Sequence, residues 1–292
     1  MPGSGSSNNN GRSLEYLITD SLSKVKGCKL TDRSVEDQLR DSVTVTTIDS
    51  KLRNSLIKAA GVIVPWIISE VSVERGKSFE VDRHHDSDPG VADLTITKAS
   101  NSLALSVKLN NDALSHPRPY SLVNQMGMSG MTFESDHRMR MDAAVKRFRA
   151  AAGGATSFPL VPAAKIKLYQ ETCEECAVTV NKASSHIDAV RALFDFLVGT
   201  NFKKVIVETN NSNSLKSITV ADYTKIKRPR SVSASVDHRP RASSLVLNFD
   251  NGWNIRLRIK NASTTIRPTG QVDLKFDARK NAGPIPPLTA LL

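Results

Sequence analysis

Apolar positions recur at helical spacing in the first quarter of the chain and at strand spacing after it. Leu14, Leu17, Ile18, Leu22 and Val25 predict a helix over 13–27, ended by Gly27. A second helical stretch opens at Thr31 or Asp32 and carries Val35, Leu39 and Val43. A third covers 50–69, with Leu52, Leu56, Ala59, Ala60 and Ile63 on one face. Pro65 is expected to kink or end it, with continuation through "WIISEV" to Glu70 as the alternative. The period then falls to two. "KSFEVD", "ADLTIT" and "LALSVKL" read as short strands joined by the turns "RHHDSDPG" and "KASNS", an antiparallel meander.

Helical spacing returns at "PRPYSLVNQMG" and is clearest over 134–152, where Met141, Ala144, Val145 and Phe148 form the buried stripe before Gly153 and Gly154. "SSHIDAVRALFDFLVG" is a further helix and "KKVIVET" a strand. Lys225 to Ser243 has no apolar period and reads as a mobile basic loop. "SLVLNF", "WNIRLRIKN" and "VDLKFDA" read as closing strands. The fold class is therefore α/β, a mixed central β-sheet flanked by helices. Without repeats or a linker, a single domain is expected over 13–292. It comprises a helical part (13–70), a core (71–224), the basic loop (225–243) and C-terminal strands (244–280). Residues 1–12, rich in Gly, Ser and Asn, are expected to be a disordered tail.

Charge narrows the function. Forty Lys and Arg against 29 Asp and Glu give +11, which points to a polyanionic partner, most often nucleic acid. The longest apolar run, Ala59 to Ile68, contains a proline and is too short to span a bilayer. The N-terminus has no apolar signal segment, and three cysteines make no disulfide framework, so a soluble cytoplasmic protein is expected. Cys173 and Cys176 have zinc-knuckle spacing, but four ligands are needed, and Cys28 and His186 would complete a site only by chance. His84 and His85 flank a turn and form no ligand pair. Phosphate-loop and Ser/His/Asp patterns are absent.

The meander carries the chemistry. Alternation sets Leu94, Ile96, Leu105 and Val107 on one face, and Asp93, Ser106, Lys108 and Asn110 on the other. Acid and lysine on one face suit phosphodiester hydrolysis. The acid holds Mg²⁺, which neutralises the phosphate and acidifies a bound water. The lysine stabilises transition-state charge or orients the water. The plain alternative is a cross-strand ion pair contributing about 0.5 kcal/mol.

Asp93, twelve residues, then Ser106-Val107-Lys108 resembles the PD-(D/E)xK nuclease signature. Ala92 stands where that family commonly has proline, and Ser106 where it has the second acid. Serine is a poor ligand beside a carboxylate, so a water or another carboxylate must fill the place. The family often adds an acid from the preceding helix, which makes Glu70 the first candidate, ahead of Glu74 and Glu80. "SVKLNNDALSHPRP" and "GWNIRLRIKNASTTI…VDLKFDA" resemble the HaeIII group of restriction endonucleases over about 75–150 and 245–280. The resemblance implies Mg²⁺-dependent cleavage of double-stranded DNA at a short GC palindrome, GGCC. It also implies a homodimer and a cognate DNA methyltransferase. Asp93, the Val107 carbonyl and Glu70 would then bind metal, with Ser106 and Lys108 in the catalytic group.

Residues that could hold DNA follow the lysine strand. Asn110 and Asn111 end it; His116 and Arg118 lie on the stiff "HPRP" segment; Asn124 and Gln125 begin the next helix. Arg138, Lys146 and Arg149 lie opposite an apolar stripe. Arg256, Arg258 and Lys260 form an outward row suited to phosphates or to protecting an edge strand. Lys225, Lys227, Arg228, Arg230, Arg239 and Arg241 would let the basic loop wrap a duplex. A non-catalytic nucleic-acid-binding protein and a DNA-repair nuclease of the same fold stay open beside the restriction reading.

Overall fold

The computed structural model describes residues 4–72, 77–84, 91–110, 114–239 and 242–292. Helix α1 (Ser4–Ser23), strand β1 (Cys28–Leu30) and helices α2 (Asp32–Thr47) and α3 (Ser50–Glu70) come first. Strands β2 (Phe79–Arg83), β3 (Leu94–Lys98) and β4 (Asn101–Leu109) follow. Then come α4 (Leu122–Gln125), α5 (Thr132–Ala152), α6 (Pro162–Ala183) and α7 (Ile187–Leu197). Strands β5 (Lys203–Thr209), β6 (Leu215–Asp222), β7 (Val232–Arg239) and β8 (Ala242–Phe249) lead to β9 (Asn254–Asn261), β10 (Leu274–Ala282) and β11 (Leu288–Ala290). Among the described residues no helix is long and apolar enough to cross a membrane.

The chain divides into two compact units. The first takes Met1–Asp112, Thr200–Ile226 and Ile285–Leu292; the second takes Ala113–Gly199 and Lys227–Pro284. The absence of a linker, which suggests one domain in the sequence, reflects interleaving: each unit is built from separated stretches of chain.

The first unit is a mixed seven-stranded sheet in the order β1-β2-β3-β4-β5-β6-β11. The expected meander is present, with β2, β3 and β4 antiparallel. β4 pairs in parallel with β5, and β1 in parallel with β2. Helices α1 and α3 bury Leu14, Ile18, Leu22, Leu56, Ile63 and Ile67 against Val81, Leu94, Ile96, Leu105 and Val205. Each such side chain contributes about 1.5–3 kcal/mol by leaving water. Gly27 has a φ of +93°, and a Cβ there would come within 2.3 Å of the Lys77 carbonyl oxygen, so glycine alone permits β1 to lie beside β2.

The second unit packs α6 on an antiparallel sheet in the order β10-β9-β8-β7. Phe194 of α7 meets Phe249 and Trp253 edge-to-face at 5.2 and 5.7 Å. Trp253, Ile255, Leu257 and Phe276 are buried around them.

Several expectations are corrected. Residues 4–12 of the expected tail are helical, since α1 begins at Ser4. Once the buried stripe nucleates the helix, each further residue adds a bond at little cost, and Ser13 Oγ bonds the Asn9 carbonyl at 2.8 Å. Of the two courses expected for α3, the structure takes the longer, through Pro65 to Glu70. Pro65 and Gly61 lie on the exposed side, so the lost hydrogen bond faces water while Ile63, Val64 and Ile67 hold the helix down. Val232–Arg239 in the basic loop is strand β7, paired throughout with β8. Its inward residues Val232, Ala234 and Val236 alternate with serine and acid, and small residues register weakly as an apolar pattern. Helix α6 and strands β1, β6 and β11 lie outside the elements expected from the pattern. In α6 the buried face is Leu168, Tyr169, Thr172, Cys173, Cys176 and Val180, with polar types filling core positions.

One charge is sunk into the first unit. Arg83 is 2% exposed and bonds Asp41 at 2.9 Å, Gln38 at 3.0 Å and Glu15 at 3.3 Å. Arg40 closes the cluster with bonds of 2.8 and 2.9 Å to Asp41. Burial pushes the Asp41 carboxyl up, but Arg40 and Arg83 outweigh it and hold the group below its ordinary value. Its stabilising contribution is therefore present above about pH 4 and lost as pH falls through the depressed folded value. Asp41→Asn is expected to lower stability by about 3–5 kcal/mol at pH 7, in urea unfolding, and to shrink the acid-side loss of stability.

Candidate active site and nucleic-acid surface

Strand β3 starts at Leu94, opposite Leu105, whereas β4 runs on to Leu109. The Asp93 carboxylate takes the place of the missing neighbour. Its Oδ2 accepts from the Val107 N–H at 2.6 Å, Ser106 Oγ at 3.1 Å and Lys108 Nζ at 3.0 Å. Its backbone is held from both sides: the N–H donates to the Leu105 carbonyl at 2.7 Å, and the carbonyl accepts from His84 N–H at 2.9 Å. Within an antiparallel strand a residue exchanges both backbone bonds with the same neighbour. The Val107 carbonyl is therefore directed, like its N–H, past the start of β3 and beside Asp93.

Leu94, Ile96, Leu105 and Val107 sit in the apolar cluster, and Ser106 is fully buried. Asp93 and Lys108 keep side-chain exposures of 22% and 27%, so both tips reach solvent. Ser106 donates to Asp93 and adds no charge.

A second carboxylate comes from α1. Glu15 accepts from Arg83, and its side chain is 18% exposed. Burial raises its pKa; the negative Asp93 adds to the rise; Arg83 and Lys108 draw it back. The outcome is about 7. Glu15, Asp93 and Lys108 thus share one field. The pattern analysis misses Glu15, although a signal exists: at 100° per residue it falls between Leu22 and Thr19, inside the buried arc of α1.

Glu70 is engaged elsewhere, its carboxylate paired with Lys203 Nζ of β5. Glu80 is exposed on β2, and Glu74 lies outside the described residues. Among the described residues no three His, Cys, Asp or Glu side chains converge as a metal cluster. Cys173 and Cys176 are buried, free thiols, pushed up by desolvation. His84 Nε2 meets Thr95 Oγ1 at 2.7 Å, and His85 lies outside the described residues.

Asn110, at φ +58°, turns the chain at the end of β4. Its amide is spent on β5: Oδ1 accepts from Thr209 N–H at 2.7 Å and Nδ2 donates to Thr209 Oγ1 at 2.9 Å. Asn111 and Arg241 lie outside the described residues.

In the second unit, the 114–118 segment runs along β10. Phe276 N–H donates to the Pro117 carbonyl at 2.9 Å and Ala278 N–H to His116 Nδ1 at 3.1 Å. Desolvation lowers the His116 pKa, Asp277 raises it, and Lys260 and Lys275 lower it further. Neutral His116 therefore carries its proton on Nε2. Arg118 pairs with Asp273. Arg256, Arg258 and Lys260 do share one sheet face, but acids interleave them. Asp277 lies 3.2 Å from Arg258, 3.4 Å from Lys260 and 3.8 Å from Arg279, and Asp237 lies 2.7 Å from Arg256. Arg258 and Arg279 stay 51% and 71% exposed, so the face remains net positive. Asn124 is exposed on the single turn of α4, whereas Gln125 buries its Oε1 without a protein partner. Arg138 pairs with Glu134 along α5, and Arg228 with Asp195.

No protein-family model matches the chain, and no curated protein matches it in sequence.

The shared field is measurable. By carboxyl-carbon NMR, Glu15 is expected to titrate near pH 7 in the wild type. Asp93→Asn should move that midpoint down, because it removes a neighbouring negative charge. A midpoint indifferent to Asp93 would disconnect the two acids.

Proposed function

We propose that this chain is a Mg²⁺-dependent endodeoxyribonuclease of the PD-(D/E)xK type, cutting double-stranded DNA at a short GC-rich palindrome such as GGCC. The observation that carries the reading is Lys108 Nζ at 3.0 Å from Asp93 Oδ2, beside a second acid, Glu15, in the same field. The net charge of +11 and the cationic face of the second unit support a polyanionic substrate.

The donor set suits Mg²⁺. Asp93, Glu15 and the Val107 carbonyl are hard oxygens, and this ion needs only one or two carboxylates besides water and phosphate. They would hold it where Glu70 was expected to contribute. Bound there, it would neutralise the scissile phosphate and lower the pKa of a coordinated water. Lys108 donates to the phosphoryl oxygen on which negative charge grows, or orients the attacking water. Asp93 holds the Lys108 Nζ in place through the 3.0 Å ion pair. Ser106 and the Val107 N–H hold Asp93 in a single rotamer. A site-specific enzyme also implies a partner methyltransferase that protects the host's own DNA.

Glu15 must lose its proton to act as a ligand, so Mg²⁺ affinity should rise with pH through about 7. Calorimetry at pH 6 and pH 8 is expected to show tighter binding and less proton release at pH 8. Glu15→Gln should abolish that pH dependence.

Activity supplies the main test. Asp93→Asn and Lys108→Ala are each expected to slow plasmid cleavage at least ~100-fold while band shifts with DNA persist. Discrete fragments formed with Mg²⁺ and not with EDTA support the reading; unchanged cleavage in both variants overturns it. Ser106 in place of an acid favours a second reading, a non-catalytic nucleic-acid-binding protein, whose mark is band shifts without cutting. Cutting that follows DNA structure rather than sequence would mark a repair nuclease. Replacing Arg256, Arg258 and Lys260 by Gln together should flatten the slope of log K against log salt by about 2–3, since each phosphate contact contributes ~0.9.

A further inference from the structure

Helix α2 is amphipathic in the reverse sense. Its buried residues are Ser34, Asp37, Asp41 and Val45. This side is polar because it serves the sunken guanidinium: Asp41 pairs with Arg83, and Ser34 Oγ accepts from the Arg83 N–H at 2.8 Å. The apolar residues face water, with Val35 44%, Leu39 71% and Val43 66% exposed. A surface helix ordinarily turns its apolar stripe to the core. Single exposed apolar side chains are common, but these three form one i, i+4, i+8 ridge about 12 Å long.

We propose that this ridge packs against the same ridge of a second copy of this chain, across a two-fold axis at Leu39. The geometry suits self-pairing. Packing of i±4 ridges into i±4 grooves, at about −50°, uses the same row on both helices, as a two-fold axis requires. The flanking charges are self-complementary. At 100° per residue, Glu36 and Arg40 lie on one flank of the ridge. The two-fold sets like flank against like flank with direction reversed. Glu36 then faces Arg40 of the partner subunit, offset by about 3 Å along the axis. Arg40 is 48% exposed although it binds Asp37 and Asp41, and donors remain on its Nη nitrogens. Parallel pairing would set this flank against the opposite one, which carries Gln38 and Ser42, so Glu36 and Arg40 would meet no opposite charge. The contact is small, so the dimer is weak, with a dissociation constant on the order of 1–100 µM. Nothing in this proposal depends on the nuclease reading.

Sedimentation equilibrium of the full chain, from roughly 1 to 200 µM, should show a concentration-dependent dimer. Leu39→Asp is expected to weaken it at least ~10-fold. Leu39 is exposed, so the thermal melt at low concentration should stay unchanged. Glu36→Arg, also at an exposed site, should weaken it several-fold. In a Cys28→Ser background, Leu39→Cys should give a disulfide-linked dimer on mild oxidation. Val43→Cys should not, because the reversed helices carry the two copies about 12 Å apart, beyond disulfide reach. A monomer at the highest concentration, a dimer indifferent to Leu39→Asp, or equal cross-linking through Val43→Cys would each overturn the proposal.

Discussion

The first unit's chemistry depends on a mismatch in strand length. β4 extends beyond the start of β3, which leaves Val107 N–H without a backbone partner. An unpaired buried amide costs about 1–3 kcal/mol, and the Asp93 carboxylate removes that cost. The same carboxylate then gathers Ser106 Oγ and Lys108 Nζ. A structural need of the sheet therefore places an acid, a lysine and an outward backbone carbonyl at one strand end. The field of Asp93 also reaches Glu15, whose pKa is raised first by its own burial and then by that negative charge.

Charge placement in the two units follows different rules. In the first, Arg83 is taken out of water and compensated by Asp41, Gln38 and Glu15, so its surroundings, including the inner face of α2, must be polar. That demand leaves the apolar side of α2 to face water. In the second, the cations of β9 and β10 stay at the surface around Asp277. There the acid spaces them without neutralising the face.

Local patterns carried much of the architecture. Period-two alternation located β2, β3 and β4 and set Asp93 and Lys108 on a common face, because faces follow directly from strand parity. Helical spacing located α1, α2, α3, α5 and α7. The remainder depends on distant or disguised features. Helical spacing puts Glu15 in the buried arc of α1, but that it comes within the field of Asp93 depends on helix packing. Glu70 is drawn off by Lys203, far away in sequence. β7 was hidden by serine and alanine, and α6 by cysteine and threonine in core positions. Asn110 serves the backbone of β5, a role that a strand-end asparagine fits as well as DNA contact.

The parallel pairing of β4 with β5 has a consequence for biosynthesis. The connection between them passes through Ala113–Gly199, which belongs to the other unit. As the chain leaves the ribosome, β4 must wait for that whole insertion before its neighbour appears. The insertion cannot finish its own sheet until Lys227–Pro284 has emerged, and β11 is added last of all. The second unit is complete at Pro284 while the first still lacks β11, so products cut short before then would expose open sheet edges and be prone to aggregate.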